Sequence, residues 1–257
     1  MKKNLYFRAV LRRSNPVKEL FFNLFTAIAS WPRLLLEVFI RKNFGERYFS
    51  FSNAVIMALF LAGLLPLFGL LTSVFTSYFN MKYFLMNHLT WYLFLIVLVF
   101  VAYLKKREIK RLPSVFDFAR FSLSTGEINP LFYTIKIKGN YVETREIETI
   151  CEPLFCMIIG LLIILAGQVV GILIVFCSIV YSLSYMAAYH VGDNFVMDKI
   201  DELLCNQELY NAFVDGVDPS KTRGVNYYGR RPADPEARRR VADAFIDQDE
   251  EETVDAQ

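Results

Sequence analysis

The residues of this chain best suited to chemistry are few: two histidines, four cysteines and a thin set of polar side chains inside long apolar runs. Cys151, Cys156, Cys177 and Cys205 have no CxxC spacing and no matching histidines. Neither a zinc site nor a structural disulfide is expected from that pattern. Cys156 and Cys177 fall in an apolar run, where a reduced thiol packs as a small hydrophobe. His88, with Asn87 and Thr90, could line a polar pocket, although a place at a membrane boundary accounts for all three. His190 and Asp193 are too isolated to hold a metal ion. There is no glycine-rich phosphate loop and no dinucleotide fingerprint, and histidines are too few for a Ser/His/Asp or Cys/His nucleophile set. Residues 215–218 lack the oxygen ligands of a calcium loop. The expectation is therefore no enzyme, no metal and no cofactor.

The elements that would have to position such residues are dominated by bilayer physics. Residues 54–75, 83–104 and 153–189 contain no Asp, Glu, Lys or Arg. Uncharged apolar stretches of about 18 or more residues read as spans, because the ~30 Å hydrocarbon core takes ~20 helical residues to cross. Charges within spans mark ion paths, proton relays and catalytic centres. The polar residues of these runs are limited to Thr72, Ser73, Asn87, His88, Thr90, Gln168, Ser178, Ser182 and Ser184. This argues against a proton-coupled transporter, a voltage sensor or an intramembrane protease, and the spans are expected to be chemically silent.

The fold class expected is an all-α membrane protein with four transmembrane helices arranged as two hairpins, a small mixed α/β loop and a helical tail. Residues 1–51 form a basic N-terminal region, and no cleavable signal peptide is evident in it. Leu20, Phe21, Leu24, Phe25 and Ile28 recur at helical spacing, and Leu35, Val38 and Phe39 oppose Arg33, Glu37, Arg41 and Lys42. Two short amphipathic helices, broken at Trp31-Pro32, are expected to lie on a leaflet.

Residues 52–104 make the first hairpin, with Pro66 as a kink and Tyr78, Phe79 and Tyr83 as an aromatic belt at its turn. It ends at Lys105, Lys106, Arg107, Lys110 and Arg111. By the positive-inside rule this cluster faces the cytoplasm, and it could bind anionic headgroups.

Residues 105–152 form the cytoplasmic loop. Alternation through 133–138 with Gly139-Asn140 predicts a strand pair, and 144–151 a short helix aligning Ile147 and Ile150. Residues 153–189 would be ~55 Å long as one helix, so a second hairpin turning near Gly167-Gln168 fits better than one long or re-entrant helix. Gly160, Gly167 and Gly171 lie on one helical face, and Gly167/Gly171 form a GxxxG pair suited to close helix packing.

Residues 190–257 are an acidic tail, with 16 acids against 8 bases, whereas residues 1–52 hold 10 bases against 3 acids. One helix is predicted over 194–214, with a stripe of Val196, Ile200, Leu203 and Leu204. A second starts at Asp234-Pro235-Glu236 and presents Val241, Ala244 and Phe245 for partner docking. The acidic end, 247–257, is expected to be disordered. The acids make nucleic acid an improbable partner for Arg230-Arg231 and 238–240.

Four spans put both termini on the cytoplasmic side of a bacterial inner (plasma) membrane. The function expected is a non-enzymatic adaptor or subunit docking cytoplasmic proteins to a larger assembly, such as a secretion or conjugation apparatus, with other subunits or further copies of the chain (a homo-oligomer) as partners. The alternative is an oligomeric channel or carrier lined by Asn87, His88, Gln168, Ser178 and Ser182.

Overall fold

The computed structural model describes residues 3–4, 6–11, 15–76, 85–137, 139–244 and 246–247. The chain is 74% helical with almost no strand. Among the described residues four helices are long and apolar enough to cross a membrane, namely Pro16–Ile40, Leu89–Asp117, Thr144–Leu165 and Val170–Asp215. We number the helices α1 (Pro16–Ile40), α2 (Phe51–Thr76), α3 (Leu89–Arg111), α4 (Thr144–Leu165), α5 (Val170–Tyr210) and α6 (Pro235–Ala244). The chain forms two compact units, Phe21–Ala188 and Met1–Leu20 with Tyr189–Gln257.

The larger unit, 21–188, buries many small and medium side chains between its helices and leaves many large apolar ones on its surface. Ala54, Ala58, Leu98 and Ala102 are buried, while Leu59, Phe60, Leu93, Ile96, Phe100, Leu162, Ile172 and Phe176 are exposed. Water would strongly disfavour so much exposed apolar surface. A hydrocarbon solvent favours it, since helices satisfy their own backbone groups there. Trp91 Nε1 donates to the Leu61 carbonyl at 3.1 Å and fastens α3 to α2.

Three sequence expectations are revised. First, α1 runs unbroken through Pro32. Proline removes one backbone donor there, but the buried Ala29, Leu35, Leu36 and Val38 hold the helix on both sides of it. Second, α3 does not stop at the cations but carries them to Arg111. Third, the short helix at 144–151 is the first part of α4, through a π-helical turn at Ile147–Cys151, and of its aligned pair only Ile147 is buried while Ile150 is exposed.

The strand pair β2–β3 (Lys136–Ile137, Asn140–Tyr141) is antiparallel and only two residues long. Tyr133 and Thr134 leave the alternating pattern for a 3-10 turn, Pro130–Thr134. It is started by Pro130 at its first position and by the Asn129 side chain accepting from the Leu131 amide. The belt residues Tyr78, Phe79 and Tyr83 lie outside the described residues.

The smaller unit pairs the two chain ends. β1 (Lys3–Asn4) runs antiparallel to β4 (Ile246–Asp247). Tyr6 and Phe7 pack on Cys205 and Leu209 of α5. Asn4 is buried, its amide donating to Glu202 Oε1 at 3.1 Å and its side chain to Asn206 Oδ1 at 2.6 Å. After α5, a π-helical turn, Asn211–Asp215, buries Phe213 and Val214 against Ala242 of α6. Arg238 closes this corner by donating to the carbonyls of Pro232 (2.6 Å) and Val214 (3.1 Å).

Candidate functional site: a buried ion-pair network

The chemistry-bearing groups of the larger unit meet where α1 ends, α4 begins and α5 passes. Arg33, Glu37 and Arg41 recur every four residues along α1 and the residue beyond it, so they share one face. Glu148 and Glu152 do the same on the first turns of α4. Ser178, Tyr181, Ser182 and Tyr185 line the facing side of α5. Glu37, Arg41, Glu152 and Tyr181 are fully buried.

Arg41 is the hub. Its Nη2 lies 2.5 Å from Glu152 Oε2 and 3.1 Å from Glu148 Oε1, and its Nε donates to Glu152 Oε2 at 3.1 Å. Nη1 donates to the Tyr185 hydroxyl at 2.6 Å and to Thr125 Oγ1 at 3.1 Å. The guanidinium also sits 4.8 Å from the Tyr185 ring centre, within cation–π range. Tyr181 completes Glu152 by donating to Oε2 at 2.5 Å.

A second group is joined to the first through Tyr185. Its hydroxyl accepts from Arg41 and donates to Glu37 Oε1 at 2.7 Å. Tyr48, in the linker between α1 and α2, donates to Glu37 Oε2 at 2.5 Å and accepts from Arg33 Nη2 at 2.9 Å. Arg33 Nη1 reaches Ser184 Oγ at 3.0 Å. Its Nε lies 3.3 Å from Glu37 Oε1 as an ion pair without hydrogen-bond alignment. Burial, then the Glu37 carboxylate, push the Tyr48 phenol well above its ordinary pKa, which keeps it a neutral donor.

Burying ions is costly unless each is paired and its remaining lone pairs and protons are satisfied. Here the two carboxylates at the centre, Glu37 and Glu152, accept on both oxygens. Apart from the unaligned Arg33 Nε–H the network is thus satisfied from within, and it works as a clamp between α1, the 41–50 linker, α4 and α5. The adjoining groove of about 670 Å³, lined by Ile28, Trp31, Leu35, Phe60, Leu64 and Phe176 among others, is apolar, with the free Cys177 thiol in its lining.

Other polar residues of the spans are also engaged. The Ser178 hydroxyl donates to the Pro153 carbonyl, and that of Ser182 to the Thr149 carbonyl at 2.6 Å. Thr90 Oγ1 donates to Gln168 Oε1 at 2.5 Å. Asn194 and His190 are side-chain neighbours at 3.0 Å. Cys151, Cys156, Cys177 and Cys205 are free thiols. Among the described residues no three His, Cys, Asp or Glu side chains converge as a metal site.

The glycine trio divides. A Cβ on Gly171 would stand 2.5 Å from the Gly160 carbonyl oxygen and 2.7 Å from the Ile164 amide nitrogen, so these two glycines let α4 and α5 touch backbone to backbone. Gly167 is in neither helix. It takes φ +75° in the turn between them, with open space around its Cα, so the pair in contact is Gly160/Gly171 and not Gly167/Gly171.

The cation cluster divides as well. Lys105 pairs with Glu108 at 3.1 Å, Lys106 lies 4.8 Å over the Phe51 ring, and Arg107, Lys110 and Arg111 are exposed. On α6 it is Ala242 that packs inward, leaving Val241 and Ala244 exposed, while Phe245 lies outside the described residues.

The sequence reading missed the network because its charges flank the uncharged runs instead of interrupting them. The available signal was the four-residue spacing of Arg33, Glu37 and Arg41, matched by Glu148/Glu152 next to Pro153 and by Tyr181/Tyr185. The chain matches no protein-family model, no curated protein and no solved structure.

Proposed function

We propose that this chain is a non-enzymatic multi-pass membrane subunit that docks protein partners at the cytoplasmic face of a larger inner-membrane assembly. The observation that carries this reading is an apolar stripe on the part of α5 beyond the uncharged run. Val196, Ile200 and Leu203 are exposed there, with Phe195 beside them. The opposite face of the same helix is already occupied, because Glu202, Cys205 and Leu209 receive the N-terminal residues. A helix with one covered face and a second, bare apolar face is suited to a groove or helix on another protein.

The topology behind this proposal rests on parity. Residues 3–11 pack on 202–227 within one unit, so both lie on one side of the bilayer, and the chain between them crosses it an even number of times. Counting α2, a 26-residue helix whose stretch Phe51–Leu67 is apolar, in place of α1 gives four crossings, α2, α3, α4 and α5, as two hairpins. The Thr90–Gln168 bond supports this by tying the α4–α5 turn to the end of α3 opposite its cations.

α1 then does not cross. Its sequence agrees, since Glu19, Asn23, Thr26, Ser30, Arg33, Glu37 and Arg41 form one polar stripe opposite the exposed Val17, Leu20, Phe21, Leu24, Ile28 and Trp31. That is the pattern of a helix lying in the interface, held by the ion-pair network. The cations at 105–111 put the termini in the cytoplasm. A channel is less well supported, because Ser178 and Ser182 donate to α4 carbonyls.

Purification in mild detergent tests the reading. Wild type is expected to bring down stoichiometric protein partners, and a Val196→Asp/Ile200→Asp/Leu203→Asp variant to lose them while staying folded. A chain that purifies alone and monomeric overturns the proposal.

A further inference from the structure

Outside the spans, three strongly exposed phenylalanines fall in one short stretch. Phe118 is 95% exposed, Phe116 84% and Phe121 70%, within a bend that follows the last cation of α3 by a few residues. Phe118 sits at φ 54°, a left-handed conformation that bulky residues seldom adopt without a reason. Ser114 caps the 3-10 turn Val115–Asp117 by accepting from the Phe116 amide, and the turn ends on Phe118. The bend is therefore ordered while its aromatic rings are left bare.

Its level relative to the bilayer is set by hydrogen bonds to the 41–50 linker. Gly45 N donates to the Ser124 carbonyl and Arg47 N to the Ser122 carbonyl, both at 2.9 Å. Arg120 Nη1 donates to the Phe44 carbonyl at 3.2 Å. Gly45 is required there, since a Cβ would stand 2.3 Å from the Ser122 carbonyl oxygen. That linker leads straight into α2 at Phe51, whose ring lies under Lys106 and beside Tyr103 of α3. The bend is thus fixed at the plane where α2 enters and α3 leaves the hydrocarbon.

We propose that the 114–123 bend is a lipid-docking element that seats Phe116, Phe118 and Phe121 in the cytoplasmic leaflet, with Lys106, Arg107, Lys110 and Arg111 engaging anionic headgroups. Charge complementarity selects the occupant. Residues 105–123 carry six Lys or Arg against two Asp or Glu, and aromatic rings beside cations at a membrane surface match an acidic leaflet. This inference rests on the four-span topology proposed above.

Phe118→Trp, in a background where Trp31 and Trp91 are Phe, gives a single reporter on a side chain that touches little. The full chain is reconstituted in vesicles of phosphatidylcholine with or without phosphatidylglycerol. Cysteine labelling at Lys221→Cys selects vesicles with the termini outside. The expected result is a blue-shifted emission quenched by lipids brominated near the headgroup and shielded from external iodide, more so with phosphatidylglycerol. Loss of that dependence is expected on Lys106→Gln/Arg107→Gln/Lys110→Gln/Arg111→Gln. Phe116→Trp is the second reporter should the first perturb the bend.

Iodide quenching without bromolipid quenching, with labelling at 221 and shielding at 168 as expected, overturns leaflet docking and leaves the topology standing. A bend equally buried in neutral vesicles overturns the anionic preference. Labelling of positions 168 and 221 from the same side overturns the topology itself.

Discussion

Replacing Arg41 by Met tests whether the ion-pair network is a clamp. Arg41 neutralises Glu152 and contacts Glu148, Thr125 and Tyr185, all from a fully buried position. Methionine matches its apolar stem but leaves Glu152 with one neutral donor, Tyr181. Removing one partner of a buried ion pair costs about 3–5 kcal/mol, because the other charge stays desolvated. An ordinary hydrogen bond between membrane helices is worth only about 0.6 kcal/mol on average, so the two accounts are well separated.

Arg41→Met/Glu152→Met removes both charges and should recover a large part of the loss, giving a coupling energy of about 1–3 kcal/mol. The assay is detergent-induced unfolding followed by maleimide reaction at the buried thiols Cys156 and Cys177, with Cys151 and Cys205 replaced by Ala. A single variant within about 1 kcal/mol of its parent, or a double variant equal to the sum of the singles, would refute the clamp.

Further expectations concern the hairpin, the linker tyrosine and the crossings. Gly171→Ala should destabilise by about 1–3 kcal/mol through overpacking, because its Cβ meets backbone atoms at 2.5 and 2.7 Å. Gly167→Ala should cost about 1–2 kcal/mol through its left-handed φ, and Gly63→Ala, with nothing within 4 Å, should be near neutral in the same unfolding assay. Burial holds the folded Tyr48 pKa above the unfolded value, so its contribution is complete below pH ~10 and falls as pH rises toward the folded value. Thermal midpoints at about pH 9 and 11 should therefore drop less for Tyr48→Phe than for wild type. In labelling of intact cells, Gln168→Cys should react with an impermeant maleimide and Lys221→Cys only after permeabilisation, and the reverse pattern would invert the orientation.

Legibility of the fold followed the range of the forces involved. Uncharged runs, the end-of-span cations and the strand-pair signal at Gly139-Asn140 are local, and solvent partition acts on them residue by residue. Pro32 misled because a proline's missing donor is a local signal, whereas the burial of Leu35, Leu36 and Val38 that keeps α1 continuous is not. The glycines were found as a set, yet their pairing depended on where the turn fell. Once Gly167 left the helix for φ +75°, Gly171 could meet only Gly160.

The sequence alone determined that this is a helical membrane protein, where its uncharged runs lie and which flank is basic, because transfer into hydrocarbon depends on composition over about 20 residues. The tertiary structure decided which charges leave water together. Arg33, Glu37, Arg41, Glu148 and Glu152 read individually as solvated flanking residues. Only the convergence of α1, α4 and α5 with Tyr48, Tyr181 and Tyr185 supplies the partners that make their burial possible. A buried charge is permitted by its neighbours in space, and a one-dimensional pattern carries no record of them.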